Sequence, residues 1–328
     1  MRRRLCFAVI SCLWLPSSVR AQDRSPHQSR FVTVEPNVQL EVLEWGDHGQ
    51  PIILLGGLGA TAHTFDEFAP KLATFYHVYG VTRRGFGHSS APRHGYDADE
   101  LGDDVLAVID SLGLNRPVVA GHSIAGEELS SIGFRHPEKV SGLIYLDAGY
   151  DYAFYDPSYG HTTIDLNEIV RQLDRIRIGS TATTAERRQA MRSLSDTTLP
   201  VLLKQLQWQL DQPVPTKPGR QPPMDPSTRA VFLGQRKYVT IQGPVLAIFA
   251  DPGEVPPGFD KDTARRAIVA EVDSATAKQV VAFERGVPQA RVVRIPRANH
   301  FIYRQHEALV VKEMRAFIDG LPKAPQGT

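Results

Sequence analysis

Apolar and polar positions fall along this chain in two kinds of run. Arg30–Val34 and Gln39–Trp45 alternate apolar with polar residues, and Pro36-Asn37 between them predicts a hairpin. The later runs Pro51–Leu55, Tyr76–Val81, Pro117–Ala120, Val140–Leu146, Pro244–Ala250 and Arg291–Ile295 are largely apolar without alternation. Helical spacing separates them at Phe65–Leu72, Ala98–Leu112, Ile124–Arg135, Lys261–Arg285 and Glu307–Ile318. Such strands interleaved with helices imply an α/β fold, a mostly parallel central sheet with helices on both faces.

The rhythm stops between about residues 150 and 240. Helical patterns such as Leu166–Ile178 and Leu199–Leu210 occur there without a comparable strand. Six prolines in the 14 residues Pro213–Pro226 predict an extended loop. Because the pattern resumes beyond it, the chain divides into an α/β core over 22–149 and 241–328, with a helical insertion over 150–240. A second independent domain is the alternative.

The N-terminus has a different character. Met1-Arg2-Arg3-Arg4 is a basic lead, Leu5–Leu15 an apolar stretch of 11 residues, and Val19-Arg20-Ala21 a small-residue cleavage site. A bilayer-spanning helix needs about 20 apolar residues, so 1–21 reads as a cleavable export signal to the periplasm or exterior. Ser11-Cys12 offers a lipid-attachment alternative, against which the apolar run continues through Leu13-Trp14-Leu15. Both cysteines, Cys6 and Cys12, lie in this signal, so the exported chain would have no disulfide and no thiol chemistry. Losing Arg2, Arg3, Arg4 and Arg20 takes the formal charge from +1 to −3. A weakly acidic chain gives no electrostatic reason to expect nucleic acid or an anionic membrane as a partner, and nothing predicts stable membrane insertion.

Candidate chemistry centres on Val118-Val119-Ala120-Gly121-His122-Ser123-Ile124-Ala125-Gly126. A serine between a buried strand and a helix occupies a sharp turn that exposes its Oγ, with small residues two before and two after it. Gly121 and Ala125 meet that need, although the usual second small residue is glycine. A serine capping an ordinary helix is the bland alternative.

A serine nucleophile needs a base, and the base an orienting acid. Of the 11 histidines, His300 follows the last strand, on the sheet edge where ligands bind in open α/β sheets. His27, His48, His88, His94 and His161 lie in polar or glycine-rich surface contexts, and His122 is expected to point away from the serine. Asp251 ends the strand Val245–Ala250 and Asp147 ends Leu143–Leu146, both on that edge; Glu254 is a weaker third. Two backbone N–H groups are expected to face the oxyanion, each worth about 3 kcal/mol. One belongs to Ile124, the other to Leu58 in the loop Gly56-Gly57-Leu58-Gly59-Ala60. That loop lacks both phosphate-binding glycine patterns. No His/Asp/Glu spacing suggests a metal, and no cofactor is implied.

Together these blocks resemble the α/β-hydrolase superfamily, from about Phe31 to Ile318. The resemblance rests on Leu54-Leu55-Gly56-Gly57-Leu58-Gly59, Arg83-Arg84-Gly85-Phe86-Gly87-His88-Ser89, the Gly-His-Ser turn, Phe249-Ala250-Asp251 and Ala298-Asn299-His300-Phe301. It implies Ser123 as nucleophile, His300 as base, Asp251 in preference to Asp147 as acid, and Ile124 and Leu58 as oxyanion donors. It also implies that 150–240 is a cap over the site. Gly56-Gly57 stands where many relatives have His-Gly. The serine distinguishes the chain from the dehalogenases and epoxide hydrolases, whose covalent intermediate needs a carboxylate there.

The expected activity is hydrolysis of a carboxylic ester of a small or medium substrate through an acyl-enzyme. The alternatives are C–C, lactone or amide cleavage or cofactor-free perhydrolysis by the same triad, and a non-catalytic ligand-binding hydrolase fold. Tyr150, Tyr152, Phe154, Tyr155 and Tyr159 either line a pocket or fasten the insertion to the core.

Overall fold

Successive residues of the central strands point to opposite faces of the sheet, and both faces are covered. In a computed structural model, Ile52 and Leu54 of β3 (Pro51–Leu55) join one buried cluster, and Ile53 and Leu55 join the other. Leu143 and Tyr145 of β6 (Gly142–Leu146) separate from Ile144 and Leu146 in the same way. Two-sided burial explains why these strands read as unbroken apolar runs. The structure describes residues 25–210, 223–255, 257–259 and 263–322. The expected export signal, its cleavage site and both cysteines lie outside them, as does most of the proline-rich loop.

Eight strands pair in the order β1-β2-β4-β3-β5-β6-β7-β8. The hairpin β1 (Gln28–Glu35) and β2 (Val38–Trp45) is antiparallel, and β2 pairs antiparallel with β4 (His77–Val81). All later pairings, through β5 (Val118–His122), β6, β7 (Val245–Phe249) and β8 (Ala290–Arg294), are parallel. The carboxyl ends of β3 and β5 to β8 therefore share one edge. The α/β expectation of a mostly parallel sheet covered by helices holds.

Helices follow the 3.6-residue patterns with local adjustments. The expected Phe65–Leu72 helix divides into a 3₁₀ turn, Ala62–Phe65, and a short helix α1 (Ala69–Ala73) with Pro70 in its first turn. Proline lacks the N–H that would continue the upstream ladder. Helix α2 (Ala98–Ser111) begins where Asp97 accepts from the Asp99 and Glu100 amides at 3.1 and 3.3 Å. Helix α3 (Gly126–Arg135) follows Ser123.

Between β6 and β7 lie α4 (Thr162–Ile176), α5 (Thr184–Ser193), α6 (Leu199–Leu210) and α7 (Pro226–Leu233), with no strand among the described residues. The sequence pattern did not signal α5 or α7. Their starts are set by capping: Thr183 and Glu186 form a reciprocal box, and Asp225 accepts the Thr228 amide at 2.9 Å. The long α8 (Thr263–Gly286), the short α9 (Ile302–Gln305) and α10 (Glu307–Asp319) complete the chain. No helix among the described residues is long and apolar enough to cross a membrane.

Candidate active site

Ser123 sits where β5 turns into α3, with φ of +55°. A side chain rarely occupies this left-handed region, and holding it there costs about 1–3 kcal/mol. The anchored strand and helix on either side enforce it. A Cβ on Gly121 would lie 2.9 Å from the Ala125 Cβ, so the turn is closed to the point where only one of the pair can carry a methyl. Ala125 carries it, fully buried. The second obligatory glycine is one residue further on. A Cβ on Gly126 would lie 2.0 Å from the Ala148 carbonyl oxygen, because α3 crosses the backbone that leaves β6.

The loop after β3 closes on the same point. A Cβ on Gly57 would meet the His122 Nδ1 at 3.0 Å and the Ser123 Cβ at 3.2 Å. The Gly57 carbonyl accepts from the Ala60 amide at 3.1 Å and from Arg83 at 3.4 Å, and Arg83 also donates to the Gly56 carbonyl at 3.2 Å. In a trans peptide the N–H points opposite to the C=O, so these bonds turn the Leu58 amide away from Arg83. Leu58 packs in one small apolar cluster with Ile124, Phe86, Tyr96, Leu101 and Val231, the last from α7. The structure thus brings Leu58 and Ile124 together beside Ser123.

Arg83 is itself held by Glu128, in the first turn of α3, at 2.6 Å, and both side chains are buried. Its neighbour Glu127 is fully buried, and neither of its carboxylate oxygens has a hydrogen-bond partner. Burial first, then the adjacent Glu128 charge, pushes the Glu127 carboxyl well above the usual range.

His300 lies in the loop between β8 and α9. Its Nδ1 is 2.6 Å from Oδ2 of Asp147, so Nδ1 carries the proton and Nε2 is left with a free lone pair. Asp147, with φ of +49°, ends β6. Its other oxygen accepts from the Ala250 amide at 2.8 Å and from the Tyr150 hydroxyl in a short bond. The His300 carbonyl accepts from Nε2 of His122 at 2.9 Å, with the two rings 4.5 Å apart. Burial depresses the His122 pKa to about 3, which keeps this ring neutral at physiological pH.

The structure places Asp147, and not the preferred Asp251, against the His300 ring. Asp251 pairs with Arg294 of β8 at 2.7 Å, and Arg294 also binds Glu284 at 2.6 Å. Arg294 is the parallel partner of Phe249, two residues before Asp251, so strand register places its guanidinium on that carboxylate. The end of β7 serves Asp147 through the Ala250 backbone N–H instead of supplying a carboxylate of its own.

Two further groups, His122 and Arg83, escaped the sequence reading. His122, expected only as a filler, tethers the His300 backbone to the residue before Ser123. Arg83 was noticed as part of a block but not as the clamp on the glycine loop. Tyr150 and Tyr152 lie at the site: Tyr150 donates to Asp147, and Tyr152 reaches the side chain of Ser123. Burial, then the Asp147 charge, raises both phenols well above their usual pKa. The other rings fasten the insertion. Tyr155 donates to Asp165 of α4 at 2.6 Å, and Phe154 packs on Phe283 of α8 at 6.1 Å, whereas Tyr159 is exposed. Phe154 thus ties the insertion to the core, Tyr155 braces α4 within the insertion, and Tyr150 and Tyr152 contact Asp147 and Ser123.

Residues 52–313 match the model of the alpha/beta hydrolase family. Among curated proteins, the chain is 37% identical over 120 residues to an AB hydrolase superfamily protein, YisY, of Bacillus subtilis, covering 36% of this chain and 44% of that one. It is 31% identical over 121 residues to a bifunctional esterase/perhydrolase of Acinetobacter calcoaceticus, again covering 36% and 44%. The matched segments span less than half the length of these relatives. A solved E-2-(acetamidomethylene)succinate hydrolase superposes with a TM-score of 0.56 at 18% identity, covering 90% of this chain and all of that one. A thermophilic esterase from Thermogutta terrifontis gives 0.56 at 18%, covering 89% and 98%. At such identities the likeness establishes the fold alone. The family match over most of the chain and the eight-stranded sheet agree: the chain belongs to the α/β-hydrolase family.

Proposed function

We propose that this chain is a serine hydrolase that cleaves a carboxylic ester of a small or medium substrate, with Ser123 as nucleophile, His300 as base and Asp147 as orienting acid. The observation that carries this reading is the 2.6 Å contact of His300 Nδ1 with Asp147, beside a serine held at φ of +55°. Nε2 takes the Ser123 proton as Oγ attacks the ester carbonyl, and Asp147 stabilises the imidazolium that forms. The Leu58 and Ile124 amides receive the developing oxyanion. His300 then protonates the leaving alkoxide, and water releases the acid by the same route.

The clamp of Arg83 on Gly56 and Gly57 supports Leu58 as a donor, because it fixes the orientation of the amide before chemistry begins. Packing of Val231 against Ile124 supports the helical insertion as a cap that borders the substrate. Perhydrolysis remains the second reading, favoured by the esterase/perhydrolase among the relatives: hydrogen peroxide would intercept the same acyl-enzyme. Residues 1–21 are proposed as an export signal, which N-terminal sequencing of the exported protein tests.

The test of function is hydrolysis of p-nitrophenyl esters of graded acyl length by the wild type beside Ser123→Ala. Turnover that the substitution abolishes supports the reading. Equal turnover in the variant refutes it. Stoichiometric labelling by a fluorophosphonate without turnover of any ester moves the reaction to a C–C or amide bond.

A further inference from the structure

Helix α4 is turned the opposite way from an ordinary surface helix. Leu166, Val170 and Leu173 share one face and are 47%, 60% and 51% exposed. Its polar residues Asp165 and Gln172 are buried instead. This rotation is fixed by hydrogen bonds. Asp165 accepts from the Tyr155 hydroxyl at 2.6 Å and from Gln205 of α6 at 2.7 Å, and Gln172 donates to Glu168 and to Ser193, each at 2.8 Å. Rolling the apolar face inward would break the three that leave the helix, to Tyr155, Gln205 and Ser193.

The neighbouring α6 repeats the pattern. Leu199, Leu203, Leu206 and Leu210 follow one another at helical spacing, and Leu203 and Leu210 are 61% and 79% exposed. Gln205 joins the two helices through Asp165 and through Thr162 at 2.8 Å. Two adjoining helices therefore present aliphatic stripes to solvent, and exposed apolar patches of this kind mark interaction sites.

Charge selects the occupant. Residues 162–210 hold seven basic and five acidic residues, whereas 25–161 and 211–328 hold 25 basic and 30 acidic. Of the five acids Asp165 is buried, and Asp174, Glu186 and Asp196 are exposed, Asp174 beside Arg177 at 3.6 Å. Against these, Arg175, Arg177, Arg188, Arg192 and Lys204 are exposed, which leaves an exposed excess of two positive charges. An aliphatic face with a basic surround in an otherwise acidic chain matches a negatively charged lipid surface. A second copy of this chain would instead bring two basic faces together.

We infer that the exposed faces of α4 and α6 dock the protein on an anionic lipid bilayer. Docking does not depend on the bond cleaved at Ser123. It is peripheral: leucine side chains enter the headgroup region while arginines meet lipid phosphates.

The test is co-sedimentation of the full chain with phosphatidylcholine vesicles, with and without phosphatidylglycerol. Wild type is expected to partition onto the anionic vesicles and to be released by high salt. Leu166→Asp/Leu173→Asp/Leu203→Asp is expected to lose roughly tenfold or more of that partition, the loss of three buried leucines. Arg175→Gln/Arg177→Gln, which leaves the apolar faces intact, is expected to weaken partition onto anionic vesicles alone. Unchanged fluorophosphonate labelling certifies that each variant is folded. Wild type that does not sediment with anionic vesicles, or partition that both variants retain, overturns the inference. So does a wild-type dimer in light scattering that the triple variant dissociates.

Discussion

The imidazole of His300 is bonded to Asp147 at the end of β6, at 2.6 Å, and not to the aspartate that ends β7. The two carboxylates therefore predict different losses. Asp147→Asn leaves the Ser123 turn intact but removes the acceptor that holds the proton on Nδ1. Ester turnover is expected to fall by about 10⁴, chiefly in kcat. Asp251→Asn is expected to keep near-wild-type kcat and to lose roughly 1–3 kcal/mol of stability, because Arg294 forfeits a buried partner. Steady-state kinetics and thermal melts of the two variants separate the roles.

The choice between these aspartates shows how far the sequence could be read. Both follow apolar strands on the same sheet edge, so strand-end position could not distinguish them. What decides is Arg294, which strand register delivers to Asp251, and the Ala250 amide and Tyr150 hydroxyl, which converge on Asp147. None of these contacts has a local signature. The strands, Ser123, His300 and the glycine loop were legible because each depends on a short-range pattern. Helices α5 and α7 were not: their packing faces are short, and capping side chains define their starts.

Arg83 is predicted to act on the reaction through the loop it holds. Arg83→Lys preserves the charge opposite Glu128 but cannot also bind both the Gly56 and Gly57 carbonyls in a fork. The Leu58 amide then loses its fixed direction. A fall in kcat on the order of 10², with little change in KM, is expected from a displaced oxyanion donor. A proportionate rise in KM with unchanged kcat would show that the loop serves binding instead.

Glycine is required at 126 rather than at 125. Gly126→Ala drives a methyl into the Ala148 carbonyl, 2.0 Å away, next to Asp147. A stability loss of at least about 1–3 kcal/mol is expected, with activity falling alongside it. Ala125→Gly restores the usual small pair of the turn and is expected to cost only about 1 kcal/mol through backbone entropy. Chemical denaturation of both variants checks the order.

Glu127 makes stability depend on pH. Its folded pKa is raised by burial and by Glu128, with Arg83 opposing and Asp97 adding to the rise. A raised folded pKa contributes stability that is full below the unfolded value of about 4.5 and declines as pH rises above it. Glu127→Gln removes this contribution and its loss. Melting temperature measured from pH 5 to pH 8 is expected to fall less steeply in the variant than in wild type. Parallel curves would mean that Glu127 finds a partner in solution.

The central claim is that one serine is made nucleophilic by His300 as oriented by Asp147. Reaction with a fluorophosphonate, followed by intact mass and peptide mapping, tests it most directly. One adduct per chain is expected, on the peptide containing Ser123, forming rapidly in wild type and Asp251→Asn and far more slowly in Asp147→Asn. An adduct on another residue, or equal rates in the two aspartate variants, would contradict it.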